Sequence, residues 1–254
     1  MGGLIENQVA VVFGSTGNVG SVIAEVLSKQ GAKVVVHYNH SEKLARNIVT
    51  KIESAGGVAV AIQADVTDKE TVELLMKKVV NSFGAINIVV NTVHRDADNK
   101  LVYEMKWADW DVHLEALKGH FYICNSVLPY MRKQNYGRIV YISGGLSNRF
   151  FRGCSAYTTI KAGLNGFCKT LALEEGEHNI TVNIVAPGKV ISKSGKSDDI
   201  NTLKEMEREQ ISRSALKRFA TADDVANAVL YFVSPGSSCI TGQTIFVTGG
   251  EIIL

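Results

Sequence analysis

Cysteine is sparse in this 254-residue chain, and none of Cys124, Cys154, Cys168 and Cys239 is paired in a CxxC spacing. That excludes a thioredoxin-like redox motif and reads as free thiols in a reducing compartment. The six histidines form no HExxH or other compact ligand set, so no metal site is expected. No apolar run approaches the roughly 18 residues that span a bilayer, and no membrane association is expected. The opening MGGLIENQVAVV lacks the basic start and long apolar stretch of a secretory signal. Glu6 stands where a myristoylation signal needs Ser or Thr. The cytoplasm is the expected location. The net charge of +2 is scattered, with no basic stripe for nucleic acid and no acidic tail.

What the chain does have is rhythm. Short β-branched runs alternate with longer segments of helical period. Strands are expected at 9–13, 33–37, 58–62, 86–90, 138–142, 181–186 and 244–247. Helices are expected at about 19–27, from a Ser41 cap to 55, 67–83, 107–132, 153–177 and 222–233. Repeated βα units call for a parallel sheet covered by helices on both faces. The fold class is therefore α/β, a Rossmann-type doubly wound sheet of about seven strands, in one domain over residues 1–254. Residues 189–215 are polar and interrupted, with a helical patch at 202–211. A long loop in a compact domain is a candidate substrate lid.

Gly14, Ser15, Thr16, Gly17, Asn18, Val19 and Gly20 sit between the first strand and the first helix. Glycine there permits a tight turn and close backbone approach to a pyrophosphate, and the helix N-terminus adds free N–H groups. The second strand ends in His37-Tyr38-Asn39-His40-Ser41, with no carboxylate to hold a ribose 2′-hydroxyl. Tyr38, Asn39, His40 and Ser41 thus favour NADP(H), with NAD(H) as the alternative. Farther on, Tyr157 and Lys161 are four residues apart, on one face of the expected helix. An ammonium beside a phenol favours the phenolate and suits the pair to proton transfer.

These motifs, with ADVTD at 64–68, INIVVN at 86–91, GRIVYIS at 137–143, TVNIVAPGKVIS at 181–192 and the run 218–250, resemble the short-chain dehydrogenase/reductase family from end to end. The nearest group in flavour is the 3-oxoacyl-[acyl-carrier-protein] reductases. The resemblance implies a carbonyl/alcohol substrate, with Tyr157 as general acid/base and Lys161 binding the nicotinamide ribose. It implies that Asp65 and Val66 meet adenine, that Asn91 packs near the cofactor, and that Pro187, Gly188 and Val190 line the nicotinamide pocket. It also implies a homotetramer, with a dimer as the alternative.

Departures from the family pattern are plain. Phe13 replaces a Thr, Asn18 a Gly, and the NNAG segment reads Asn91-Thr92-Val93-His94. Ala116 stands where a relay Asn is expected, and Gly144 where the substrate-orienting Ser is expected. Ser143 is the provisional third catalytic residue, although strand alternation turns it to the other face; Ser147 lies farther along the loop, and His94 is a possible substitute donor. These losses leave a second expectation open: a catalytically impaired dinucleotide-binding regulatory protein.

Overall fold

The structure, a computed structural model, describes residues 2–97, 99–145, 150–190 and 200–253, with only the backbone for 200–206. Fourteen main elements alternate as expected. They are β1 (Val9–Phe13), α1 (Asn18–Lys29), β2 (Lys33–Tyr38), α2 (Glu42–Ser54), β3 (Val58–Gln63), α3 (Lys69–Phe83) and β4 (Ile88–Asn91). Then come α4 (Trp107–Gln134), β5 (Gly137–Ile142), α5 (Ser155–Glu175), β6 (Ile180–Pro187), α6 (Ile200–Arg213), α7 (Ala222–Val233) and β7 (Thr244–Val247). The seven strands form one sheet in the order β3-β2-β1-β4-β5-β6-β7, and every pairing is parallel.

Strand alternation divides the core in two. Val9, Val11 and Phe13 of β1 turn to one face and pack with Leu75 and Met76 of α3, Ile123 and Val127 of α4, and Leu164 of α5. Ala10 and Val12 turn to the other and pack with Ile23 and Leu27 of α1, Ile52 of α2, and Val225 and Val229 of α7. Strands buried on both faces must be apolar throughout, which is why β1 reads VAVVF without a polar residue.

Side chains set several helix ends. Asp68 accepts the Glu70 N–H at the start of α3 (2.9 Å), and Gly84 ends that helix at φ +82°. Thr221 and Asp224 cap α7 reciprocally, and Arg218 grips Asp224 with two nitrogens (2.6 and 3.0 Å). The expected Ser41 cap is absent. Ser41 precedes α2 but its hydroxyl makes no capping hydrogen bond, because its backbone lies outside the extended conformation that aims a cap inward. The 202–211 patch is the middle of α6. Of the expected lid, residues 191–199 lie outside the described residues, as does Ser147. All four cysteines are free thiols, three of them buried. No helix among the described residues is long and apolar enough to cross a membrane.

Candidate active site

β1 and β4 are adjacent at the centre of the sheet, with Phe13 opposite Asn91. The chain leaves β1 toward β2 on one side and β4 toward β5 on the other, which opens a crevice at the strand ends. The crevice is a cleft of about 740 Å³. One wall is the glycine turn, with Gly14, Thr16, Gly17, Asn18, Val19 and Gly20. Gly14 has φ +76°, and a Cβ at Gly20 would collide with the Gly14 carbonyl. The turn can therefore lie this close to its helix only with glycine at both places. Gly17 precedes α1, and no side chain caps that helix. The cleft thus has the bare glycine cradle and the helix N-terminus that a pyrophosphate requires.

Two residues not singled out by the motif hold this turn. The Gly14 N–H donates to His37 Nδ1 (3.1 Å), and His37 Nε2–H donates to the Ala64 carbonyl (3.0 Å). These contacts fix the tautomer of His37, and burial pushes its pKa down to about 4. Thr92 Oγ1 donates to the Phe13 carbonyl (2.8 Å), with the Gly14 carbonyl 3.2 Å away.

Some expected cofactor contacts sit behind the cleft. Ser15 is buried and its hydroxyl is bonded to the Val12 carbonyl, so it can offer only backbone. Asn91 is buried, and its amide is committed to Val93 N–H (3.0 Å) and to His120 Nδ1 (2.6 Å). It shapes the site from below. Val66 is a core residue. At the adenosine end, parallel pairing of β2 and β3 sets Tyr38 beside Gln63. Asp65 follows, its carboxylate accepting from the Thr67 N–H (2.9 Å) and hydroxyl (2.8 Å). The Thr67 backbone bond leads in lowering the Asp65 pKa, with smaller contributions from Asn39 and His40. Asn39, His40 and Asp65 are thus neighbours. Arg46, one turn into α2, is held by Glu42 (2.6 and 2.9 Å).

Tyr157 stands at a junction. Its side chain lines the dinucleotide cleft and also a second pocket of about 320 Å³. Phe151, Lys189, Gln210, Glu251 and Ile252 line the far side of that second pocket. Glu251 and Ile252 belong to the C-terminal tail, which sequence reasoning did not place there. Leu216 N–H and the Ser214 hydroxyl both reach the Gly249 carbonyl (2.9 Å each), tying the tail to the end of α6. Pro187 and Gly188 line both spaces and Val190 lines the cleft.

Lys161 is buried beneath Tyr157, its Nζ 5.5 Å from the ring centre and donating to the Ile142 carbonyl (3.2 Å). Burial lowers its pKa to about 8. The Tyr157 phenol moves the other way, up to about 12, chiefly by burial, with Asp96 and Cys154 adding to it. The expected lowering of the phenol by the ammonium is therefore overturned in the chain alone: desolvation outweighs a charge set beneath the ring rather than beside the oxygen.

Gly144 and Ser143 lie at the end of β5. A Cβ built on Gly144 would lie 2.9 Å from the Tyr157 hydroxyl. The Ser143 hydroxyl is sealed from solvent and has no hydrogen-bond partner among the described residues. Ser143 is therefore close to the site but does not present its oxygen to it. His94 is on the cleft wall beside Asp96, 3.5 Å from its Oδ1. Among the described residues no group of three or more His, Cys, Asp or Glu side chains is arranged to hold a metal.

A parallel sheet with a glycine cradle at its switch point and a Tyr–Lys pair beside it defines a nucleotide-binding oxidoreductase class. A family model described as enoyl-(acyl carrier protein) reductase matches residues 14–251. The chain belongs to the short-chain dehydrogenase/reductase family, and it is an oxidoreductase of that kind. It is 37% identical over 247 residues to a 3-oxoacyl-[acyl-carrier-protein] reductase of Staphylococcus epidermidis, covering 96% of this chain and 98% of that one. A dehydrogenase/reductase from Sinorhizobium meliloti 1021 superposes with a TM-score of 0.88 at 30% identity, covering 98% of this chain and 96% of the other. A short chain dehydrogenase from Burkholderia cenocepacia J2315 in complex with NADP gives 0.86, also at 30%, covering 97% and 98%.

Proposed function

We propose that this protein is an NADP(H)-dependent carbonyl reductase acting on a ketone of the 3-oxoacyl type. The observation that carries the proposal is the position of Tyr157, whose phenol stands between the dinucleotide cleft and the second pocket. A reduced nicotinamide bound in the cleft would supply the hydride. Gly14, Thr16, Gly17, Asn18, Val19 and Gly20 would cradle its phosphates, and Pro187, Gly188 and Val190 would line the nicotinamide end. Tyr38, Asn39, His40 and Ser41, with no carboxylate among them, would face the adenosine ribose. NADP(H) is preferred on that ground, with NAD(H) the weaker ligand.

A phenol raised to about 12 is protonated at neutral pH. In the reduction it would give that proton to the carbonyl oxygen as the hydride arrives. Lys161 lies below it as the ammonium that returns the proton. Phe151 and Ile252 give the substrate pocket apolar walls, and Lys189, Gln210 and Glu251 give it a polar end. A homotetramer fits the apolar side chains that α4 and α5 expose, namely Trp107, Val112, Leu114, Phe121 and Leu173. The relatives named as reductases support the enzymatic reading over an impaired regulatory protein.

The test is NADPH oxidation by the purified protein against 3-oxoacyl thioesters, diketones and quinones. Turnover of a 3-oxoacyl thioester is expected. Absence of turnover across the panel, with NADPH bound, would overturn the proposal.

A further inference from the structure

Phe151 is a shared wall. It lines the pocket beside Tyr157 and also a further groove of about 390 Å³. Leu101, Val102 and Phe150 give this groove apolar sides, and Ser155, Thr158 and Thr159 of α5 complete it. Val102 is 68% exposed and Phe150 is 76% exposed. Large apolar side chains left in water around one groove mark a binding surface.

Contacts between two loops hold the groove in shape. Residues 99–105 lie between β4 and α4, and residues 150–154 lead into α5. Gly153, at φ +84°, rests on the Asn99 backbone, where a Cβ would stand 3.0 Å from the Asn99 carbonyl carbon. The Cys154 thiol reaches Asn99 Oδ1 (3.7 Å), and the Ser155 hydroxyl reaches Met105 Sδ (3.7 Å). Val102–Glu104 form a single 3-10 turn, and the Glu104 carboxylate accepts the Leu101 N–H (3.1 Å). Lys100 and Arg152 also line the groove. The Lys100 ammonium is tied to Asp109 of α4 (2.7 Å). Long cationic side chains of this kind cover apolar surface with their stems and keep the charge in water.

We propose that this groove is the subsite for the hydrocarbon tail of the substrate, and that the protein selects long 3-oxoacyl chains over short ones. The inference rests on the carbonyl-reductase reading. A 3-oxoacyl thioester extends from its ketone in two directions. One carries the thioester arm with its amide groups, and the other is bare hydrocarbon. The spaces around Tyr157 differ in the same way. Lys189, Gln210 and Glu251 offer donors and acceptors that suit the amides. Leu101, Val102 and Phe150, past Phe151, offer the apolar walls that suit the tail. With the ketone at the Tyr157 phenol, the arm lies along the polar end and the tail crosses Phe151 into the groove. Phe151 and Val102 are thus specificity-determining residues and take no part in the hydride or proton transfer.

The test is kcat/KM of the full chain, at saturating NADPH, for N-acetylcysteamine thioesters of 3-oxoacyl chains from four to ten carbons. Each methylene that leaves water should raise kcat/KM by up to about fourfold. Thr159 is exposed on α5, so Thr159→Trp fills the groove without disturbing the core. It should cut the ratio of kcat/KM for the ten-carbon over the four-carbon chain by about tenfold or more. Val102→Asp sets a charge beside the tail and should cut the same ratio. Melting temperature and NADPH affinity report whether each variant is intact. A flat series in the parent protein, or an unchanged ratio in both variants, would overturn the subsite. Variants that alter the preference between N-acetylcysteamine and pantetheine thioesters of one chain length, and leave the chain-length ratio as it was, would give the groove to the thioester arm and overturn it too. Absence of turnover at every chain length, with NADPH bound, would instead remove the reductase reading itself.

Discussion

Gly144 presses on Tyr157: a Cβ added to the glycine would stand 2.9 Å from the phenol oxygen. The phenol thus occupies part of the room that a serine at this position would need. A hydroxyl that donates to a developing oxyanion is worth about 10²–10³ in rate. Gly144→Ser should push the phenol a few tenths of an ångström toward the cleft and raise kcat about tenfold, less than the full range because of that displacement. Gly144→Ala adds the same carbon without the donor and should give no gain. Steady-state kinetics of the two variants checks this.

Lys161 should cost the protein stability. Its pKa falls from 10.5 to about 8 on folding, by burial of the ammonium. The unfolded chain therefore binds more protons between pH 8 and 10.5, and the penalty is fully present below about pH 8. Lys161→Met should raise stability at pH 7 by on the order of 3 kcal/mol at most, while abolishing turnover. The advantage should shrink as pH rises toward 10.5. Urea unfolding at pH 7 and pH 10 measures it.

His37 gives the opposite end of the pH scale its own signature. Its pKa falls from 6.5 to about 4, so the unfolded state binds the extra proton between those values. Stability should therefore decline as pH drops from about 6.5 to 4, by on the order of 3 kcal/mol. Protonation of the folded protein also removes the acceptor for the Gly14 N–H, so dinucleotide affinity should hold at pH 5 and above and fall only around pH 4. His37→Gln should flatten the stability decline. Unfolding and NADPH titration at pH 7, 5 and 4 check both.

The cofactor preference should reverse with one charge. Asn39 and His40 end β2 without a carboxylate beside the expected ribose position. Asn39→Asp should weaken NADPH at least about tenfold by setting like charges together, each factor of ten being about 1.4 kcal/mol, and should leave NADH unchanged or tighter. Fluorescence titration with both cofactors tests it.

The framework was legible because a strand buried on both faces must be largely apolar and β-branched, as the runs VAVVF in β1, VVV in β2 and IVV in β4 are. Tyr157 and Lys161 were legible because four residues is one helical turn. His37 was not: its bond to Gly14 spans 23 positions and depends on the β1–β2 register. Ser15 and Asn91 matched a motif, yet their side chains turn inward, which alternation beyond a strand end does not specify. The tail at Glu251 and Ile252 reaches the pocket beside Tyr157 with the help of the bonds from Ser214 and Leu216 to Gly249, which no local pattern specifies.

The most direct test compares Tyr157→Phe with the parent protein in two assays, NADPH binding and turnover of a 3-oxoacyl thioester. Removing one hydroxyl should leave the dissociation constant within a few-fold and lower kcat by about 10²–10⁴. Equal turnover in the two proteins, or loss of NADPH binding as the whole effect, would contradict the assignment of the proton to Tyr157.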